Sequence, residues 1–99
     1  MAVVMTMDLP LTRSDIESAS SAMGVQESPP DGLIVHVATE TDNGIHVVDV
    51  WESKDAFDKF NNAQLIPAMQ KVIADHHIQM DGPPPEPTFD EAFDLVRGR

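Results

Sequence analysis

Gly32-Leu-Ile-Val-His-Val-Ala-Thr-Glu-Thr-Asp-Asn-Gly-Ile-His-Val-Val-Asp-Val-Trp51 is the stretch that decides the fold. Two runs rich in β-branched residues, Leu33 to Thr39 and Ile45 to Trp51, flank Glu40-Thr41-Asp42-Asn43-Gly44. Asn-Gly is the favoured pair for a two-residue hairpin loop, because both central positions of a type I′ turn need positive φ. With Asn43-Gly44 as that loop, Val37 faces Val50, His36 faces Trp51 and Ala38 faces Asp49. Side chains alternate along a strand. Leu33, Val35, Val37, Val48 and Val50 then share one face, which reads as core. Ile34, His36, Ala38, Val47, Asp49 and Trp51 share the other, which mixes apolar side chains with an imidazole, a carboxylate and an indole.

Outward from the hairpin, Ala2 to Leu9 is short, partly β-branched and stopped by Pro10, a strand pattern. Ser14 and Glu17 have capping-box spacing at the start of a helix. Ile16, Ala19 and Met23 give that helix one apolar stripe, and Gly24 suits its C-terminal cap. Pro29-Pro30 forbid continuation. After Trp51, Ser53 is a good N-cap and Asp55 complements the helix dipole. The apolar pattern Phe57, Phe60, Leu65, Ile66, Met69, Val72 and Ile73 carries a second helix. Pro67 within it predicts a kink, or a break near Ala63 with Pro67 in the first turn of a second segment. Asp81 to Pro87 reads as an extended proline-rich connector. The tail Thr88 to Val96 is open between helix and strand. Thr88 with Glu91 and Phe89 with Phe93 fit a helix, whereas Phe89, Phe93 and Leu95 also fit an alternating strand.

The order is β-α-β-β-α followed by a strand or helix. With a final strand it is a split βαβ, ferredoxin-like α+β plait with an antiparallel sheet and both helices on one face. Both faces of the hairpin carry apolar residues, so the uncovered one calls for a partner, most simply a second copy of the chain. Ninety-nine residues amount to one domain. Such a chain buries only about 60–65% of its unfolded surface, so a partner subunit helps its stability.

Seventeen acids against six bases give a formal charge of −11, which repels phosphate backbones and anionic lipid. Nucleic-acid and membrane partners are therefore not expected. No apolar run reaches ~18 residues, and the first residues lack the pattern of a secretory signal. The absence of cysteine removes thiolate chemistry and Cys-based metal sites, and fits a reducing cytoplasm.

The best candidate site is the mixed hairpin face. His36 can serve as a general base near neutral pH with Asp49 orienting it or raising its pKa. Trp51 supplies a flat wall for a ring. The bland reading of the same residues is a structural His–Asp contact beside a core tryptophan. Adjacent His76 and His77 project about 100° apart on a helix and do not chelate one ion well, so no metal is expected there. Asp90, Glu91 and Asp94 lack calcium-loop spacing. Met5, Met7, Met23, Met69 and Met80 are adaptable fillers of a core or pocket. No Gly-rich phosphate loop or nucleophile elbow is present.

The hairpin, the Asp49-x-Trp51-x-Ser53 junction, Phe57, the segment Leu65-Ile66-Pro67-Ala68 and the tail Phe93-Asp94-Leu95-Val96 resemble the dimeric α+β barrel superfamily. The likeness is greatest to its small actinobacterial relatives of antibiotic-biosynthesis monooxygenases. The resemblance covers roughly residues 2–97 and implies a single dimeric α+β barrel domain over the whole chain. It places the last strand at Phe93 to Val96, two sheets of a homodimer face to face, and a pocket between each sheet and its own helices. The catalytic pair expected in that pocket, read from the hairpin register rather than from the resemblance, is His36 and Asp49, with Trp51, Phe57, Phe60 and Met69 around a small aromatic or polyketide-like substrate. No cofactor is implied. Haem-degrading relatives carry a Trp and a His on the second helix and an Asn on the first strand. Phe60 and Met69 or Gln70 stand at those helix positions and the first strand has no Asn, which argues against haem. Two functions follow. One is a cofactor-independent oxygenase; the other is a non-catalytic small-ligand or interaction domain. A closed, apolar cavity of ~300 Å³ or more with His36 or Trp51 at its wall supports ligand chemistry. A cavity filled by Phe60, Met69 and Phe93 favours the second.

Overall fold

A computed structural model describes residues 1–79 and 85–98. Met80 and residues 81–84 of the proline-rich connector lie outside it. The elements are β1 (Val3–Leu9), α1 (Arg13–Met23), β2 (Leu33–Thr41), β3 (Gly44–Trp51), α2 (Lys54–Phe60), a π-helical turn (Asn61–Leu65), α3 (Ile66–Asp75) and β4 (Thr88–Glu91). The strands form one antiparallel sheet in the order β2-β3-β1-β4, the α+β ferredoxin-like arrangement expected from the element order.

The hairpin exists, but its turn sits one residue earlier than expected. Thr41 pairs with Gly44, so the loop is Asp42-Asn43, and His36 faces Asp49, Val37 faces Val48 and Ala38 faces Val47. Gly44 has φ 140° and belongs to β3. A β-carbon there would collide with the Leu9 carbonyl oxygen. The glycine is required by the close approach of β1 rather than by the turn. A register irregularity between Leu33 and Val35 brings Leu33 opposite Trp51. This bulge moves Leu33 from the valine face to the tryptophan face.

The helices cover the mixed face, not the valine face. Along β3, Ile45, Val47, Asp49 and Trp51 are buried and the intervening residues are only partly so. Val3, Met5, Ile45, Val47, Trp51 and Phe57 form the core, with Ile16, Phe60, Leu65 and Phe89 packed against it. Val35 and Val37, expected in the core, are 45% and 46% exposed. Pairing places them on an open face with Val4, Val48 and Val50.

Thr12, not Ser14, caps α1. Its hydroxyl accepts from the Asp15 N–H at 3.2 Å while the Asp15 carboxylate accepts from the Thr12 N–H at 2.9 Å. Gly24 closes the helix at φ 67° and Ser53 caps α2, both as the sequence indicates. The Pro67 irregularity takes the form of the π-helical turn, with Pro67 in the first turn of α3. Proline has no N–H to give, and a wide turn just ahead of it absorbs the missing bond.

The last strand is Thr88–Glu91, earlier than Phe93 to Val96. Phe89 pairs opposite Met5 and packs on the core, while Phe93 is 98% exposed. Both segments alternate, but the shorter connection from α3 brings Phe89 to the sheet first.

Candidate functional site

The bond from His36 to Asp49 joins two strands. Its Nδ1 lies 2.6 Å from Asp49 Oδ1, a contact set by their facing register positions. Asp49 Oδ2 accepts the Trp51 indole N–H at 3.1 Å. Trp51 is two residues along the same strand, and so on the same face. Asp49 is 5% exposed, and both its oxygens are engaged. A buried carboxylate costs little only when so satisfied. The Asp49 hydrogen bond, reinforced by its charge and opposed by burial, raises the His36 pKa above its usual 6.5. With Nδ1 committed, Nε2 is the ring nitrogen left for a ligand.

Trp51 is held from behind. Phe57 meets it edge-on at 5.6 Å and Phe60 lies tilted at 5.5 Å. Phe57 in turn contacts Phe89 at 5.2 Å, and the Lys54 ammonium lies 5.2 Å from the Phe89 ring centre. Such aromatic pairs contribute about 0.5–1.5 kcal/mol each beyond simple burial. The indole is thereby fixed in tilt as well as position.

In front of these groups is a cavity of about 270 Å³ between the sheet and the helices. His36, Asp49, Trp51, Phe60 and Met69 all line it. Phe57 does not: it is 2% exposed and belongs to the core behind the indole. Phe93 takes no part. The far wall comes from Ile16, Ala19, Ser20 and Met23 of α1 and from Pro29-Pro30 of the following loop. The stripe on α1 reads as apolar in the sequence, and its Ile16, Ala19 and Met23 form part of the wall of the pocket expected between sheet and helices. Leu33 joins the wall through the bulge in β2, and Leu65 through the π-helical turn, two backbone irregularities that residue patterns do not announce.

His76 and His77 lie elsewhere. His76 follows α3, and its Nδ1 is 2.5 Å from Asp15 Oδ1; His77 has φ 54°. Among the described residues no three His, Asp or Glu side chains are grouped to hold a metal ion. No described helix is long and apolar enough to cross a membrane.

With this geometry in view, comparison with known proteins is informative about the fold. A Nitrosomonas europaea protein of unknown function, NE2512, superposes with a TM-score of 0.65 at 15% identity, over 99% of this chain and 93% of that one. Rv0793 of Mycobacterium tuberculosis gives 0.60 at 18% identity, over 97% and 98%. A variant of SnoaB, a cofactor-independent oxygenase from Streptomyces nogalater, gives 0.58 at 15% identity, over 96% and 94%. A further similar structure, from Deinococcus radiodurans, is a candidate antibiotic biosynthesis monooxygenase. No protein-family model matches the chain, and no curated protein matches it in sequence. The fold is therefore the ferredoxin-like α+β fold that these structures share.

Proposed function

We propose that the sheet–helix cavity binds a small aromatic or polyketide-like substrate and that His36 is the base for its cofactor-independent oxygenation. The observation that carries this reading is the fixed His36–Asp49–Trp51 array at the wall of an apolar cavity. Phe60 and Met69 complete the substrate wall. SnoaB, a cofactor-independent oxygenase of the same fold, supports the choice of reaction class.

The net reaction is R–CH₂–R′ + O₂ → R–CO–R′ + H₂O. His36 Nε2 removes a proton from an activated methylene, and Asp49 stabilises the imidazolium. The carbanion adds its electron pair to dioxygen, and His36 returns the proton to give a hydroperoxide. Loss of the second C–H proton breaks the O–O bond, leaves the carbonyl and releases water. No external reductant enters. An apolar wall favours the step by excluding water from the carbanion.

The chain acts as a single-domain homodimer in this reading, its partner covering the open face of Val4, Val35, Val37, Val48 and Val50. Half-exposed valines in a contiguous patch support this. Its expected location is the cytoplasm.

The test is conversion of 1,8-dihydroxyanthrone to the anthraquinone with oxygen uptake, alongside native mass spectrometry for a dimer and any co-purified molecule. His36→Ala is expected to lower turnover about 100-fold or more. Unchanged turnover removes His36 as the base. A ligand that co-purifies without any turnover leaves the non-catalytic binding reading in place.

A further inference from the structure

Ile16, Ser20, Gln26 and His36 line the cavity and also a second, wider cleft of about 770 Å³ between α1 and β2. The two spaces adjoin, and His36 stands where they meet. Their chemistry differs sharply. The inner cavity carries only Asp49 and His36 as ionisable groups among mostly apolar walls. The outer cleft carries Glu17, Glu27 and Glu40 against Arg13 and, when protonated, His36. Arg13 Nε is 2.7 Å from Glu17, and its Nη1 is 3.8 Å from Glu40, so the guanidinium reaches from α1 to β2 across the cleft. Three carboxylates against one guanidinium and one imidazolium still leave it negative. The −11 formal charge of the chain provides no opposing field.

We propose that this cleft is the way into the cavity and that it selects an amphipathic cation, an apolar ring body seated against Trp51 with an amine head among Glu17, Glu27 and Glu40. The proposal rests on the ligand-pocket reading above and narrows its substrate class. An anionic ligand meets like charge in the cleft and the Asp49 carboxylate beyond it. A cation of the same ring system is drawn inward, and the effect weakens as salt shortens the reach of the field.

Three probes of one ring system test it on the full chain: N-(1-naphthyl)ethylenediamine, cationic; N-phenyl-1-naphthylamine, neutral; and 1-anilinonaphthalene-8-sulfonate, anionic. Trp51 is the only tryptophan and lines the inner cavity, so quenching of its emission reports a probe bound in or beside that cavity. The cation is expected to bind about tenfold tighter than the sulfonate in low salt, the gap closing to about twofold near 0.5 M NaCl. The paired substitution Glu17→Lys and Glu40→Lys, at side chains 64% and 63% exposed, is expected to reverse the order. A sulfonate that binds as well as the cation, or a ratio unmoved by the paired substitution, overturns the charge selection and leaves the ligand pocket standing. Failure of all three probes to quench Trp51 in the folded protein overturns the ligand pocket itself.

Discussion

Three histidine–aspartate pairs occur among the described residues; His46–Asp8, at 2.7 Å, lies on the surface, and the other two are nearly identical in local geometry but set in different surroundings. His36 Nδ1 meets Asp49 at 2.6 Å and His76 Nδ1 meets Asp15 at 2.5 Å. The free oxygen of Asp49 takes the indole N–H of Trp51, whereas that of Asp15 takes the Thr12 backbone N–H and closes the cap of α1. The first array therefore fixes two rings at a cavity wall. The second staples the beginning of α1 to the end of α3, and neither of its members lines the cavity or the adjoining cleft. A His–Asp contact alone says little about chemistry. The third partner, and the space in front of the ring, separate a site from a fastening.

Removing the carboxylate from the sheet pair gives the largest effect on stability. Asp49→Ala leaves the Trp51 N–H buried without an acceptor and His36 without its partner. The expected loss is about 3 kcal/mol, read from urea unfolding followed by Trp51 emission. Asp49→Asn keeps an oxygen toward the indole and is expected to cost less than half as much. Equal losses in the two variants contradict the bracing role of the indole hydrogen bond.

The helix pair breaks more gently and in a different place. Asp15→Ala removes one half of the capping box and the partner of His76, with an expected loss of about 1–2 kcal/mol. Naphthylamine binding in the cavity is expected to stay as in the unaltered protein. A fall in binding as large as that caused by Asp49→Ala would make the two pairs functionally alike and dissolve the distinction.

The sheet pair could be read in the sequence up to a point, and the helix pair could not. Strand alternation alone puts His36, Asp49 and Trp51 on one face, and a register change of two in the pairing sum preserves that parity. The turn itself misled because Asn43-Gly44 carries a strong hairpin signal, while Gly44 serves a tertiary contact with Leu9. Which face the helices cover was not readable either, since a face of pure valine and a face with one tryptophan are both apolar enough. Ser14 with Glu17 fits the capping-box spacing, but the structure uses Thr12 with Asp15, two residues earlier. Asp15 and His76 are 61 residues apart. Nothing local links them, and only the antiparallel packing of α1 on α3 brings them together.

Acid and base provide the finest separation of the pairs. Asp49 raises the His36 pKa above 6.5. Its contribution to stability is therefore complete below 6.5 and is lost as pH rises through the raised value. Burial pushes the Asp15 pKa upward, but the Thr12 N–H, His76 and the Thr12 hydroxyl outweigh it and hold the value below 3.8. That contribution is present above 3.8 and is lost as pH falls through the lowered value. The His36 side chain is 40% exposed, so solvent screening keeps its share under about 1 kcal/mol. Urea midpoints measured across pH are expected to show the gap between the unaltered protein and Asp49→Asn narrowing from about pH 6 toward 9. The gap to Asp15→Ala is expected to narrow in acid, as pH falls through the lowered Asp15 value. A flat Asp49→Asn gap across the neutral range would mean that the sheet pair does not hold a proton on His36, and would remove Asp49 as the support of the proposed base.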